Sequence, residues 1–250
     1  MVPLKEITSF CDEYLDVSRF HDYCPNGLQV EGRPEVEHVV SAVTASLAAI
    51  EAAIEKKADM LLVHHGYFWK GESQPVAGMK GRRIRALIEN NISLVAYHLP
   101  LDAHAVVGNN VQLAKRMRWQ NARPVDENDA LLWQVELPGA ENACSLSQVL
   151  SGALGRDPLH IPGGPIEFRK IGWCTGAAQS YIEQAAELGL QAFISGEISE
   201  HTTHAARELG IHYFAAGHHA TERYGVQALG QLLAEKFAIS HEFIEISNPV

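Results

Sequence analysis

The sequence predicts an α/β protein made of two similar α/β domains that arose by internal duplication. Three observations predict it. Short apolar runs alternate with helix-patterned segments along the whole chain, which is the signature of strands layered with helices. Several runs end at histidines or carboxylates, as in Leu61-Leu62-Val63-His64-His65-Gly66. The order of segments then recurs. Laying Val63 on Ile194 and His98 on His218 gives offsets of 131 and 120 residues, a longer loop in the first half making up the difference. A period near 120 residues excludes a solenoid of short repeats. The expected domains are residues 1–124 and 125–250.

In the first half, residues 4–16 read as a helix, because Leu4, Ile7, Phe10, Cys11, Tyr14 and Leu15 form one apolar stripe. Tyr23-Cys24-Pro25-Asn26-Gly27-Leu28-Gln29-Val30 reads as a loop with tight turns at its Pro and Asn-Gly. A strand over 39–43, a helix over 46–57 and a strand over 59–63 follow. After a long loop come a helix at 80–90, a strand at 92–96 and a helix at 105–118. The segment 120–170 holds the connection and a strand candidate, Ala130 to Leu137. The second half repeats the alternation, with strands at 171–174, 191–194 and 211–216 and helices at 178–188, 200–209 and 222–236.

Composition narrows the function. The chain has 250 residues, 46% hydrophobic and 20% charged, with a formal net charge of -10. That acidity argues against an extended nucleic-acid-binding face, which needs clustered Lys and Arg. One local cluster, Lys80-Gly81-Arg82-Arg83-Ile84-Arg85, reads better as a solvated helix start than as a phosphate site. Cys11, Cys24, Cys144 and Cys174 are far apart, a spacing that fits reduced thiols rather than a disulfide framework or zinc ribbon. The N-terminus lacks an apolar signal core, and no run approaches the roughly 18 apolar residues of a membrane span. A cytoplasmic protein with no membrane partner is expected.

Thirteen histidines are the unusual part of the composition. A histidine stands four residues before a carboxylate in His98-Leu99-Pro100-Leu101-Asp102 and again in His218-His219-Ala220-Thr221-Glu222. In open α/β sheets ligands bind beyond the carboxyl ends of the strands, where these residues fall. His64 and His65 are adjacent, so a regular strand would point them to opposite faces. With Gly66 allowing an irregular turn, both can face one cleft and serve different metal ions. The alternative is a pair of surface-loop histidines. Asp102 and Glu222 read either as ligands or as carboxylates that complement a helix dipole. Thr221 is a candidate N-cap that would set Glu222 in the first helical turn.

Three histidines (His64, His65, His218) and two carboxylates suffice for two divalent cations, with water completing each shell. His98 is a further ligand, a nearby base or a structural residue, and Glu197 can enter the same cleft. His201 and His204 share a helix face that a solvated role explains equally well. His104 and His219 are placed outside the site. No P-loop, Gly-x-Ser-x-Gly elbow or Gly-x-Gly-x-x-Gly fingerprint follows a strand.

The blocks Pro25-Asn26-Gly27-Leu28-Gln29-Val30, His64-His65-Gly66, His98-Leu99-Pro100-Leu101-Asp102, Ser195-Gly196-Glu197 and Gly217-His218-His219-Ala220-Thr221-Glu222 resemble the signature of the GTP cyclohydrolase 1 type 2 homologue family, the NIF-three-like dinuclear metal-centre proteins. The resemblance runs in order over nearly the whole chain. It implies a two-metal site with His64, His65, Asp102, His218 and Glu222 as ligands, in the cleft between two α/β domains, and a toroidal homohexamer. It implies zinc, iron or manganese, a choice that nitrogen and oxygen ligands make weakly. The chain departs from the family at Glu200-His201, where a His-His pair is usual.

The reading that follows is a dinuclear-metal-dependent hydrolase acting on a nucleotide or nucleobase through activated water. His98 and Glu197 are its expected catalytic residues and a small nucleotide-like molecule its substrate. The alternative is a non-enzymatic metal-handling or regulatory protein, which the lack of a mobile His-rich tail disfavours.

Overall fold

The computed structural model describes residues 1–250. It opens with strand β1 (Val2–Pro3), helix α1 (Leu4–Tyr14), and strands β2 (Gly27–Val30), β3 (Glu35–Val36) and β4 (His38–Thr44). Then come α2 (Leu47–Glu55), β5 (Met60–His65), α3 (Gly78–Glu89), β6 (Ser93–Ala96), α4 (Leu99–Ala103) and α5 (Asn109–Arg116). The middle of the chain forms β7 (Arg123–Pro124), β8 (Trp133–Glu141), α6 (Ala143–Leu154), β9 (Leu159–Ile161) and β10 (Phe168–Cys174). It ends with α7 (Ile182–Glu187), β11 (Ala192–Ser195), α8 (Glu200–Leu209), β12 (His212–Ala215), α9 (His218–Phe237) and β13 (Ser240–Phe243).

Packing divides the chain into two compact units. The first comprises Met1–Leu101 with Gly225–Ser247, the second Asp102–Tyr224 with Asn248–Val250. These bounds differ from a cut at 124/125, because the chain changes unit within α4 and again within α9.

In the first unit the sheet order is β13-β4-β5-β6-β2. The first four strands run parallel and β2 is antiparallel to β6. Met60, Leu61, Leu62 and Val63 are all fully buried, as expected of a parallel strand covered on both faces. Each such side chain contributes about 1.5–3 kcal/mol, so β5 fixes the position of the histidines at its end. Ser46 caps α2 by accepting from the Ala49 amide at 3.2 Å, and Ile50, Ala53 and Leu87 pack on Val40, Leu61 and Leu94.

The second unit orders its strands β7-β8-β10-β11-β12-β9. Only β10, β11 and β12 are parallel. Leu146, Leu150 and Leu154 of α6 cover Trp173, Ile194 and Phe214. Phe193, Tyr213, Ile182 and Ala206 fill another core cluster. A Ser199/Thr202 capping box starts α8, and Gly210 in left-handed conformation ends it. Both units therefore contain three parallel strands whose third is flanked by an antiparallel strand from the segment before the first: β4-β5-β6 with β2, and β10-β11-β12 with β9.

Several expectations change in detail. Residues 27–30, expected in a loop, form β2 against β6. The helix expected at 105–118 is the shorter α5 over Asn109–Arg116, and a separate short helix, α4, precedes it. Thr221 is no N-cap, since α9 starts at His218. Lys80 is buried, donating to Ser73 O and lying 3.5 Å from Glu72, so Lys80–Arg85 is not one solvated basic patch.

Candidate metal centre

In the first unit, three imidazoles gather at the carboxyl ends of β5 and β6. His64 and His65 both lie within β5, yet their ring centroids are 4.6 Å apart. The ring of His98, just after β6, lies 5.1 Å from His64 and 5.8 Å from His65. One nitrogen from each comes within 4.8 Å of the others, a grouping able to hold a metal ion, and Asp22, Cys24 and His98 form another. His98, expected as a base, is thus as close to this pair as a ligand would be.

Each ring is oriented through Nδ1. That of His64 meets Tyr97 O at 2.8 Å and that of His98 meets Asp22 Oδ1 at 2.7 Å. A carbonyl and a carboxylate only accept, so Nδ1 carries the proton in both rings and Nε2 is the nitrogen left for a metal. His65 Nδ1 lies 3.1 Å from Thr44 Oγ1.

Asp22 is the hub of the preceding loop. It also accepts from the Leu99 amide at 3.0 Å and from Asn26 Nδ2 at 2.9 Å, and Asn26 Oδ1 accepts from the His98 amide at 2.7 Å. Burial alone would raise the Asp22 carboxyl, but His98, Asn26 and the Tyr23 amide together hold it below its ordinary value. Gly66 lets this loop reach the histidine turn. A Cβ there would stand 2.2 Å from Gln29 Oε1, which accepts from the Tyr67 amide at 2.7 Å.

The second unit gathers carboxylates around one imidazole. His218 and Glu222 are one turn apart in α9, with Nε2 3.0 Å from Oε2. On the other side of the ring Nδ1 meets Glu197 Oε1 at 2.7 Å. Burial pulls the His218 pKa down, but Glu222 and then Glu197 outweigh it, raising it to about 9. The metal-free ring is therefore held in its protonated, positively charged form at neutral pH. Gly176 permits the arrangement: at φ +72°, its Cβ would fall 2.1 Å from Glu222 Oε1. Thr221 Oγ1 accepts from the Gly176 amide at 3.1 Å, tying α9 to this turn.

Asp102 lies in the same unit and is buried. Its Oδ1 accepts from Asn109 Nδ2 at 2.8 Å and from Thr175 Oγ1 at 3.3 Å. Ionised carboxylates are costly to bury. Neutral donors such as these steady a carboxylate while leaving its charge for a cation.

Asp22, Thr44, Asn109 and Thr175 join the site without any mark in the sequence pattern. Asp22 and Thr175 act across more than 70 positions and Thr44 across 21, while Asn109 is seven residues from Asp102 but in a different helix, so local spacing marks none of them. Glu197 reaches the site at Nδ1 of His218. His201 and His204 extend from α8, where His204 pairs with exposed Glu200 at 3.2 Å.

The donor set suits a borderline divalent ion: imidazoles oriented through Nδ1 and buried carboxylates. The chain matches the model of the Duf34/NIF3 (NGG1p interacting factor 3) family over residues 2–249. A Pseudomonas aeruginosa protein named GTP cyclohydrolase 1 type 2 homolog is 52% identical over 250 residues, covering 99% of each chain. A Vibrio cholerae protein of the same name is 53% identical over 252 residues, covering 98% of each. Among solved structures, the structural-genomics protein ybgI, described as of unknown function, matches with a TM-score of 0.95 at 44% identity over all of both chains. A Thermus thermophilus protein matches with a TM-score of 0.90 at 31% identity over all of both chains. The chain belongs to the Duf34/NIF3 family.

Proposed function

We propose that this protein is a metal-dependent hydrolase of a nucleotide or nucleobase. His64, His65, Asp102, His218 and Glu222 would hold two divalent cations, with His98 available as a further donor or as a base. One observation carries the reading: His64, His98 and His218 each have Nδ1 on an acceptor, respectively Tyr97 O, Asp22 and Glu197. Rings fixed in this way turn Nε2 away from the anchoring acceptor, in His218 toward the Glu222 carboxylate at 3.0 Å. The relatives' name, GTP cyclohydrolase 1 type 2 homolog, supports a purine nucleotide as the substrate class.

A bound divalent cation would supply Lewis acidity and lower the pKa of water. The chain's own residues supply the proton traffic. His98 takes a proton from the attacking water as the oxygen adds to an amidine-type carbon. It returns that proton to the nitrogen when the C–N bond breaks. Asp22 keeps the ring in the Nδ1–H tautomer and offsets the charge of the imidazolium, as the carboxylate of a catalytic triad does. Glu197 acts through His218, fixing its ring. The homohexameric ring is part of the same proposal, and light scattering of the purified protein tests it.

The central test measures metal content in the wild type, His65→Ala and Glu222→Ala, then formate release from GTP with zinc, iron and manganese. The expected result is about two equivalents in the wild type, a loss in both variants, and turnover with at least one metal. Metal bound without turnover of GTP would remove the GTP assignment and favour a metal-handling role.

A further inference from the structure

We propose that Tyr23, Phe68 and Trp69 form an aromatic lip that stacks on the planar heteroaromatic ring of the substrate beside the imidazole cluster. This deepens the hydrolase reading and rests on it. Three consecutive aromatics follow Gly66. Tyr67 turns inward and donates from its hydroxyl to Ala45 O at 2.6 Å. Phe68 and Trp69 do not follow it: Phe68 is 39% exposed and Trp69 half-buried. Trp69 lies with its ring centroid 4.9 Å from His98 and 6.0 Å from His65. From the preceding loop, Tyr23, 61% exposed, places its ring 6.5 Å from His98.

This placement is held against a cost. Phe68 has φ +66°, a left-handed conformation that is unfavourable for an aromatic residue. Glu72 enforces it, accepting from the Phe68 amide at 2.7 Å and the Trp69 amide at 3.1 Å. Glu72 is anchored in turn by the buried Lys80 ammonium, 3.5 Å away. The Lys70 amide donates to Tyr23 O at 2.6 Å, joining the two loops. A buried lysine and a strained backbone thus keep apolar rings at the surface, next to the nitrogens proposed to hold metal. Ring faces there suit a flat π-system, and stacking tolerates any base while disfavouring sugars, which have no aromatic ring.

The test uses the metal-loaded full-length protein, with Trp69 replaced in one variant and Tyr23 in another. Guanosine 5′-monophosphate and ribose 5-phosphate are the probes, followed by calorimetry and tryptophan fluorescence. The nucleotide is expected to bind and quench fluorescence, with ribose 5-phosphate much weaker. Trp69→Leu and Tyr23→Leu should each weaken nucleotide binding by roughly ten-fold or more while metal content stays at the wild-type level. Phe68→Gly should raise Tm, by releasing the left-handed strain, yet weaken the nucleotide. Equal binding of both probes, or unchanged nucleotide affinity in the Trp69 and Tyr23 variants, overturns the lip. Loss of metal from the wild type would overturn the hydrolase reading and not the lip, which the nucleotide arm still measures.

Discussion

Replacing Gly176 by alanine isolates what the carboxylate–imidazole pair of the second unit depends on. The new Cβ would lie 2.1 Å from Glu222 Oε1 and 3.3 Å from His218 Nε2. Glu222 is only 2% exposed, so its carboxylate cannot swing into water without disturbing α9. Two costs add. The left-handed backbone at φ +72° is worth roughly 1–2 kcal/mol for a residue with a Cβ. Breaking the charged hydrogen bond between Glu222 and His218 is worth about 1.5–3 kcal/mol. Gly189 is a matched control, having the same φ of +72° and nothing within 4 Å of its Cβ. Gly189→Ala should therefore show the backbone cost alone, and Gly176→Ala roughly 2.5–5 kcal/mol in all. Thermal unfolding of the metal-free proteins would separate them by several degrees, at about 2–4 °C per kcal/mol for a chain of this size. NMR titration should also show the His218 pKa falling from about 9 in Gly176→Ala. Equal Tm losses in the two variants, with His218 still titrating near 9, would refute the reasoning.

Two further outcomes follow from the charges. The His218 pKa is raised from 6.5 to about 9, so in metal-free protein its contribution, on the order of 3 kcal/mol, is complete below pH 6.5 and lost as pH rises through about 9. Urea unfolding from pH 6 to pH 10 checks this, and the loss should vanish in Glu222→Gln combined with Glu197→Gln. The Asp22 pKa is lowered in the fold, so its contribution is present above the ordinary carboxylate pKa and lost as pH falls through the depressed value. Asp22→Asn should cost about 1.5–3 kcal/mol at neutral pH and flatten the acid limb of stability, as chemical denaturation from pH 3 to pH 7 would show.

The parts of the fold legible in the sequence are those where burial on both faces leaves an unbroken apolar run. Val39 to Val43, Leu61 to Val63 and Phe193-Ile194 announce their strands because no position faces water. The elements that escaped are short or mixed. The strand β9 is three residues after Pro158, and β13, Ser-His-Glu-Phe, alternates exposed and half-buried positions at a sheet edge. The helix α6 carries Ser, Gly and Cys on its solvent side, which blurs its leucine stripe. The site was legible as residue types at strand ends, but not as partnerships. Asp22 and His98 are 76 positions apart, and no local spacing encodes their hydrogen bond. The Thr221 cap failed for a definable reason. Gly217, at φ +100°, turns the chain so abruptly that helix begins at His218. The threonine hydroxyl then bonds back to Gly217 O at 2.9 Å instead of capping.

The recurrence of histidine four residues before a carboxylate shows why spacing alone does not give chemistry. In the second unit both residues belong to α9, so the i, i+4 relation becomes a direct contact of 3.0 Å. In the first copy the histidine precedes its helix: α4 begins at Leu99, followed at once by Pro100. A helical i, i+4 relation requires both residues to be helical, so the first copy does not inherit it. His98 instead takes Asp22 as its carboxylate, and Asp102 is held by Asn109 and Thr175. The two motifs therefore differ in what they can do. Paired with Glu222 and Glu197, His218 is an imidazole poised to hold positive charge, whether a proton or a metal ion. His98 is backed by one carboxylate on Nδ1 and stands beside two further imidazoles, the setting on which the proposed proton transfer relies. On this argument Asp22→Asn should impair turnover more than metal content, whereas Glu197→Gln should do the reverse. Measuring both quantities on both variants decides it, and parallel losses in the two would show that the motifs serve one undivided role.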